Sequence, residues 1–124
     1  MAVTLHQLEH SPYCIPIAAA LRALGVSFRT VQVSYGDRTP IFKLTQGNYH
    51  QVPVLVDGGE VVFESAADTL DVAHFVDQRW AEGRLFPAAV EGWQRIIVPH
   101  VENEVEGVTF RLVDPGFFDT VTDK

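Results

Sequence analysis

An α/β fold with a mixed four-stranded sheet is what the sequence predicts, and three observations carry that prediction. Val3 to Leu8 and Val26 to Val33 are partly alternating apolar runs separated by a helical pattern, the order of a βαβ unit. Val52 to Val56 and Glu60 to Phe63 flank Asp57-Gly58-Gly59, the composition of a tight hairpin. A third helical pattern, with capping residues ahead of it, follows from Ser65.

Each element has a local cause. Val3 to Leu8 contains no Gly or Pro and predicts a strand buried on at least one face. Ile17, Ala18, Leu21 and Leu24 recur at helical spacing, and Gly25 stands where a glycine ends a helix, so a helix is predicted from Ile15 to Leu24. Pro12 suits a first turn, where a missing N–H costs little, and Pro16 is expected to bend the helix start. The β-branched content of Val26 to Val33 favours a second strand, and a helix between two strands makes them parallel, with a right-handed crossover. Residues 35–48 are polar, with Gly36, Pro40 and Gly47, and predict a loop carrying a short helix from Pro40 to Thr45. Ser65 and Asp68 have the spacing of a capping box, Ser at N-cap and an acid at N3, ahead of Leu70, Ala73, His74 and Val76.

This order, βαβ, irregular helix, ββα, is the thioredoxin-like arrangement, with helices on both faces of the sheet. The predicted domain covers residues 1–81, a linker follows at 82–87, and residues 88–124 form a helical fragment. A helix from Ala88 to Leu112 is expected there, bent or divided at Pro99 and Gly107. It has no partner helix in the sequence, so it is expected to lie on the domain or to pair with another chain.

Composition excludes several functions. The 124 residues are 47% apolar and 20% charged, enough for one domain with a core. Nine basic against sixteen acidic residues give a net charge of −7 with no Lys/Arg run, which argues against nucleic-acid or anionic-membrane partners. One cysteine precludes an internal disulfide framework, and Met1 to Gln7 has neither a charged n-region nor a signal-length apolar run, so a soluble cytoplasmic protein is expected. The histidines, His6, His10, His50, His74 and His100, show no metal-ligand spacing, and no metal site is expected. Trp80 and Trp93 read as packing residues, and Glu102, Glu104 and Glu106 as a solvated face.

The chemistry concentrates where the first strand meets the first helix, at Ser11-Pro12-Tyr13-Cys14. A helix start leaves N–H groups without partners and carries the positive end of the macrodipole, so it stabilises a thiolate or a carboxylate. With Gln51-Val52-Pro53-Val54-Leu55 and Asp57-Gly58 behind it, Glu64-Ser65, and Leu85-Phe86-Pro87, this segment resembles the N-terminal domain of cytosolic glutathione transferases over residues 3–87. The family's second domain is a helical bundle much longer than residues 88–124, so the match is to a transferase cut short.

The resemblance implies a site and a reaction. Ser11 falls at the catalytic position of serine-type members, where a hydroxyl hydrogen-bonds the glutathione sulfur, lowers its pKa and readies the thiolate for attack on an electrophilic small molecule. The peptide before Pro53 is expected to be cis, with the Val52 main chain pairing the cysteinyl unit. Ser65, at the start of the third helix, would hold the γ-glutamyl carboxylate and Glu64 the α-amino group. His50 and Gln51 are candidates for the glycyl end. Cys14 matches the second cysteine of a glutaredoxin-type motif whose attacking cysteine is here Ser11, so dithiol exchange is not expected. Glutathione is thus the implied co-substrate, without metal, and a homodimer is expected because a domain lacking its helical neighbour would expose apolar surface.

Plainer readings stand beside these. Ser11 is equally explained as a helix cap, Cys14 as a small buried apolar group, and Ser65 with Asp68 as a stabilising cap whatever else it does. Two other functions stay open: a transferase-like binding module without catalysis, and a monothiol oxidoreductase using Cys14.

Overall fold

The computed structural model describes residues 2–66 and 69–101. They divide between two compact units, Met1–Leu85 and Phe86–Lys124.

In the first unit, β1 (Val3–Gln7) lies at the centre of a four-stranded sheet of order β2-β1-β3-β4. It pairs parallel with β2 (Phe28–Gln32) and antiparallel with β3 (Val54–Asp57), which pairs antiparallel with β4 (Glu60–Val62). The β3–β4 loop is two residues long, and Gly58 takes φ 62° at its first position, where a mirror-image hairpin turn favours glycine. Alternation along β1 sorts its side chains: Val3 and Leu5 join the main core, while Thr4 and His6 point to the other face. On that other face Thr4 Oγ1 accepts from Nε of its cross-strand partner Arg29 at 3.1 Å. Burial first, and the Arg29 charge second, hold the His6 pKa below its ordinary value.

Helix α1 (Cys14–Ala23) turns Ile17, Ala18 and Leu21 onto the sheet, and they pack with Val3, Leu5, Leu55, Val72 and Val76. Gly25, at φ 72°, stops it: its N–H bonds to Arg22 O and that of Val26 to Leu21 O, a Schellman-type end. Leu5, Leu21, Leu55, Val72 and Val76 are fully buried, and burial of each such side chain contributes about 1.5–3 kcal/mol, so this face carries most of the unit's stability. Helix α2 (Thr39–Leu44) starts beside Pro40, and its fully buried Ile41 lies outside that cluster.

The third helix departs from the sequence reading. α3 runs from Asp71 to Val76 and continues as a π-helical turn, Asp77–Ala81. Its N-cap is Leu70, at φ 52°, and not Ser65. The expected capping box fails because Glu64, rather than the Ser65 hydroxyl, satisfies the first-turn amides; Asp68 lies outside the described residues. Asp77, buried, accepts from Leu85 N at 2.9 Å and ties down the end of the unit.

In the second unit a short 3-10 turn, Ala88–Val90, leads into α4 (Glu91–His100), which contains Pro99. The expected continuation to Leu112, with its bend at Gly107, and the glutamates at 102, 104 and 106 lie outside the described residues. None of the described helices is long and apolar enough to cross a membrane.

Candidate functional site

Sheet register decides what meets at the site. Leu5 pairs Leu55 and His6 pairs Val54, so the chain leaving β1 toward Ser11 runs beside the chain entering β3 from Val52-Pro53. Leu55 pairs Val62, which brings Phe63 and Glu64 off β4 at the same end. Gln7 pairs Gln32, and Val33 N donates to Gln7 O at 2.8 Å, so the loop from Ser34 to Arg38 leaves there too. Residues separated by up to about fifty positions thus share one edge.

Ser11 is nearly buried and sits in two consecutive turns. Its N–H bonds to Leu8 O at 3.0 Å, and its carbonyl accepts from Cys14 N and Ile15 N at 3.1 and 3.0 Å. Its Oγ accepts from Tyr13 N at 3.2 Å. The N-cap of α1 is Tyr13, which makes no side-chain cap bond, so Ser11 supports the helix start from outside it. Cys14 is wholly buried. Burial pushes its thiol pKa up, against the downward pull of hydrogen bonds with the Leu8 backbone and the Ser11 side chain and of the Arg38 charge. A buried thiol with a raised pKa is a poor nucleophile, which weighs against the monothiol reading.

The Val52–Pro53 peptide is cis, and both residues are buried. The loop ahead of them is braced by Thr45, whose buried Oγ1 accepts from Tyr49 N at 3.1 Å and lies 2.8 Å from Ile41 O and 2.9 Å from Tyr49 O. His50 is exposed; its ring stacks on Phe42 with centroids 5.9 Å apart, and its carbonyl accepts from Arg38 Nη1 at 3.2 Å. Gln51 is exposed beside it. Tyr49 stacks on Phe63 at 5.4 Å. Burial raises the Tyr49 pKa, with further upward pushes from Glu64, Cys14 and Tyr13 and a downward pull from Arg38. This phenol, itself on the segment leading to Pro53, therefore senses groups from the other three converging segments.

Glu64 is half-buried, and its carboxylate caps α3: Oε2 accepts from Asp71 N at 2.6 Å and Oε1 from Val72 N at 3.3 Å. Burial raises its pKa, and those amides together with Thr69 oppose the rise. Each oxygen keeps acceptor capacity beyond these bonds. Ser65 is exposed; its N–H donates to Asp71 Oδ2 at 2.6 Å, and its Oγ lies 3.5 Å from Thr69 Oγ1. The structure thus gathers the segments bearing Ser11, Cys14, His50, Gln51, Val52, Pro53 and Glu64 at one sheet edge, and places Ser65 ahead of α3 without making it the cap. Arg38, Tyr49, Thr69 and Asp71 escaped the sequence reading. An arginine six residues past β2, in the polar loop just ahead of Pro40, was the signal available for Arg38. Among the described residues, no group of three His, Cys, Asp or Glu side chains is placed to hold a metal ion.

The fold and this edge define a thioredoxin-like domain with a helical unit after it. A model for the glutathione S-transferase N-terminal domain matches residues 5–82, and the chain belongs to that family. Glutathione S-transferase 3 of Zea mays is 29% identical over 119 residues, covering 88% of this chain and 51% of its own length. The apo structure of a glutathione S-transferase III superposes with a TM-score of 0.70 at 26% identity, over 93% of this chain and 56% of that one. Rice GST1 in complex with glutathione superposes with a TM-score of 0.58 at 22% identity, covering 73% and 39%. The chain spans about half the length of the curated relative it matches.

Proposed function

We propose that this chain carries the glutathione site of a serine-type transferase, in which Ser11 activates the thiol for attack on an electrophilic small molecule. The observation that supports this most is the sheet register, which sets the Ser11 turn beside the Val52-Pro53 segment and Glu64. Ser11 Oγ accepts the Tyr13 N–H, and a hydroxyl that already accepts is a better donor; the proton it directs at the Cys14 sulfur would turn toward a ligand sulfur instead. A hydrogen bond to the thiolate stabilises it over the thiol and lowers its pKa. The Val52 main chain would pair the cysteinyl unit, Glu64 would accept from the α-amino group, and the Ser65 amide would take the γ-glutamyl carboxylate. His50 and Gln51 would serve the glycyl end, joined by Arg38, which already donates to the His50 carbonyl. Cytoplasmic residence and self-association belong to the same reading; the exposed Trp93, Ile96 and Ile97 on α4 support the latter.

Calorimetry with glutathione, paired with a conjugation assay over a panel of electrophiles, tests it. Ser11→Ala is expected to abolish turnover and to keep glutathione affinity within a few-fold of wild type. Binding without any turnover in the wild type would favour a non-catalytic module. Loss of activity in Cys14→Ser, with Ser11→Ala active, would favour thiol chemistry instead.

A further inference from the structure

The backbone donors that a ligand carboxylate would use beside Glu64 are already taken by this chain's own side chains. Ser65 N donates to Asp71 Oδ2 at 2.6 Å and Ala66 N to Thr69 Oγ1 at 3.3 Å, while Asp71 N and Val72 N donate to Glu64. Thr69 Oγ1 lies 2.8 Å from Asp71 Oδ2, 3.0 Å from Ala66 O and 3.4 Å from Glu64 Oε2. The two carboxylates are not equivalent. Glu64 is half-buried and uses both oxygens on the first turn of α3, so it serves as the cap of that helix. The contact between Asp71 and the Ser65 amide is solvent-exposed, and water can replace it.

We infer that Asp71 is a built-in placeholder, whose carboxylate occupies the Ser65 amide that the γ-glutamyl carboxylate of glutathione needs and must be displaced when the ligand binds. This rests on the reading of Ser65 given above. Both groups are carboxylates accepting a backbone N–H, so they compete for the same bond with the same chemistry. The internal one is tethered six residues away and loses no translational freedom, which gives it a high effective concentration. A site competent only when Asp71 has swung away binds with its intrinsic constant divided by the open fraction, so the contact weakens apparent affinity and its removal strengthens it.

The experiment is an amide-resolved NMR titration of the full chain with glutathione, for wild type, Asp71→Ala and Asp71→Asn. In the free protein Asp71→Ala is expected to shift the Ser65 amide strongly, and an unmoved Ser65 resonance would overturn the proposal without any ligand. With glutathione, Asp71→Ala is expected to bind about three- to tenfold more tightly, the equivalent of one net hydrogen bond. Asp71→Asn, which keeps a weaker neutral acceptor, should gain about two- to threefold, and it decides the matter if the alanine variant does not fold. The γ-aminobutyryl analogue of glutathione, which lacks the α-carboxylate, should bind wild type and variants alike. Wild-type binding of glutathione with no gain in either variant overturns the placeholder and leaves the glutathione site standing. An equal gain for the analogue overturns it as well. Absence of glutathione binding in every protein overturns both.

Discussion

Removal of the Glu64 carboxylate tests whether this acid is part of the fold as well as of the site. In Glu64→Ala the amides of Asp71 and Val72 lose their acceptors at 2.6 and 3.3 Å. Loss of a helix N-terminal cap costs about 0.5–2 kcal/mol. Loss of a negative charge next to the helix start adds about 0.3–1 kcal/mol. Release of a half-buried carboxylate offsets part of this, since burial holds the Glu64 pKa above its ordinary 4.5. The net expectation is a loss of about 1–2 kcal/mol, and for a domain of this size a drop in Tm of roughly 5–15 °C. Thermal melts followed by circular dichroism measure it. Glu64→Gln, which keeps one acceptor and sheds the charge, should lose less than half as much. A raised folded-state pKa means that the native state holds the proton more tightly than the unfolded chain. The proton-linked part of its contribution is therefore complete below pH 4.5 and lost as pH rises through the folded value, while the acceptor bonds to the Asp71 and Val72 amides persist, and Glu64→Gln should lack that decline. A Glu64→Ala melt superimposable on wild type would refute the capping role and leave Glu64 as a ligand group alone.

Two further outcomes follow from buried groups near the same edge. Thr45→Val keeps the shape of a buried side chain but strands the Tyr49 amide, so it should cost about 1–3 kcal/mol and weaken glutathione binding through the loop before Pro53; unchanged stability would contradict the bracing role. Cys14, wholly buried with a raised pKa, should react with a disulfide exchange reagent in the native protein only at the rate of local opening, and rapidly once urea unfolds the domain. Fast stoichiometric labelling of the native chain would contradict that.

The sheet was legible because its signals are local. β-branched runs, Gly25 and the Gly58-Gly59 turn specify strands, helix end and hairpin within a few residues each, and the observed elements fall within two residues of their expected bounds. The start of α3 was not legible, because two candidate caps compete across seven residues and only tertiary structure decides between them. Ser65 with Asp68 has the spacing of a cap, yet the Glu64 side chain reaches from the end of β4 to the first turn at Asp71. Arg38 and Tyr49 were invisible for a similar reason. Their neighbours, the His50 carbonyl and the Phe63 ring, are set by register and loop path and leave no periodic trace. Ser11, by contrast, stood out because its place after a strand and before a helix is itself a one-dimensional pattern, although its bond to Tyr13 N is not the N-cap bond the pattern suggests.

The ultraviolet thiolate band of bound glutathione, followed against pH in wild type and Ser11→Ala, goes to the heart of the proposed chemistry. Wild type should show the bound thiol ionising at lower pH than free glutathione, and Ser11→Ala should return it to the free value while still binding the tripeptide. Identical titrations in the two proteins would contradict a role for Ser11 in activating sulfur.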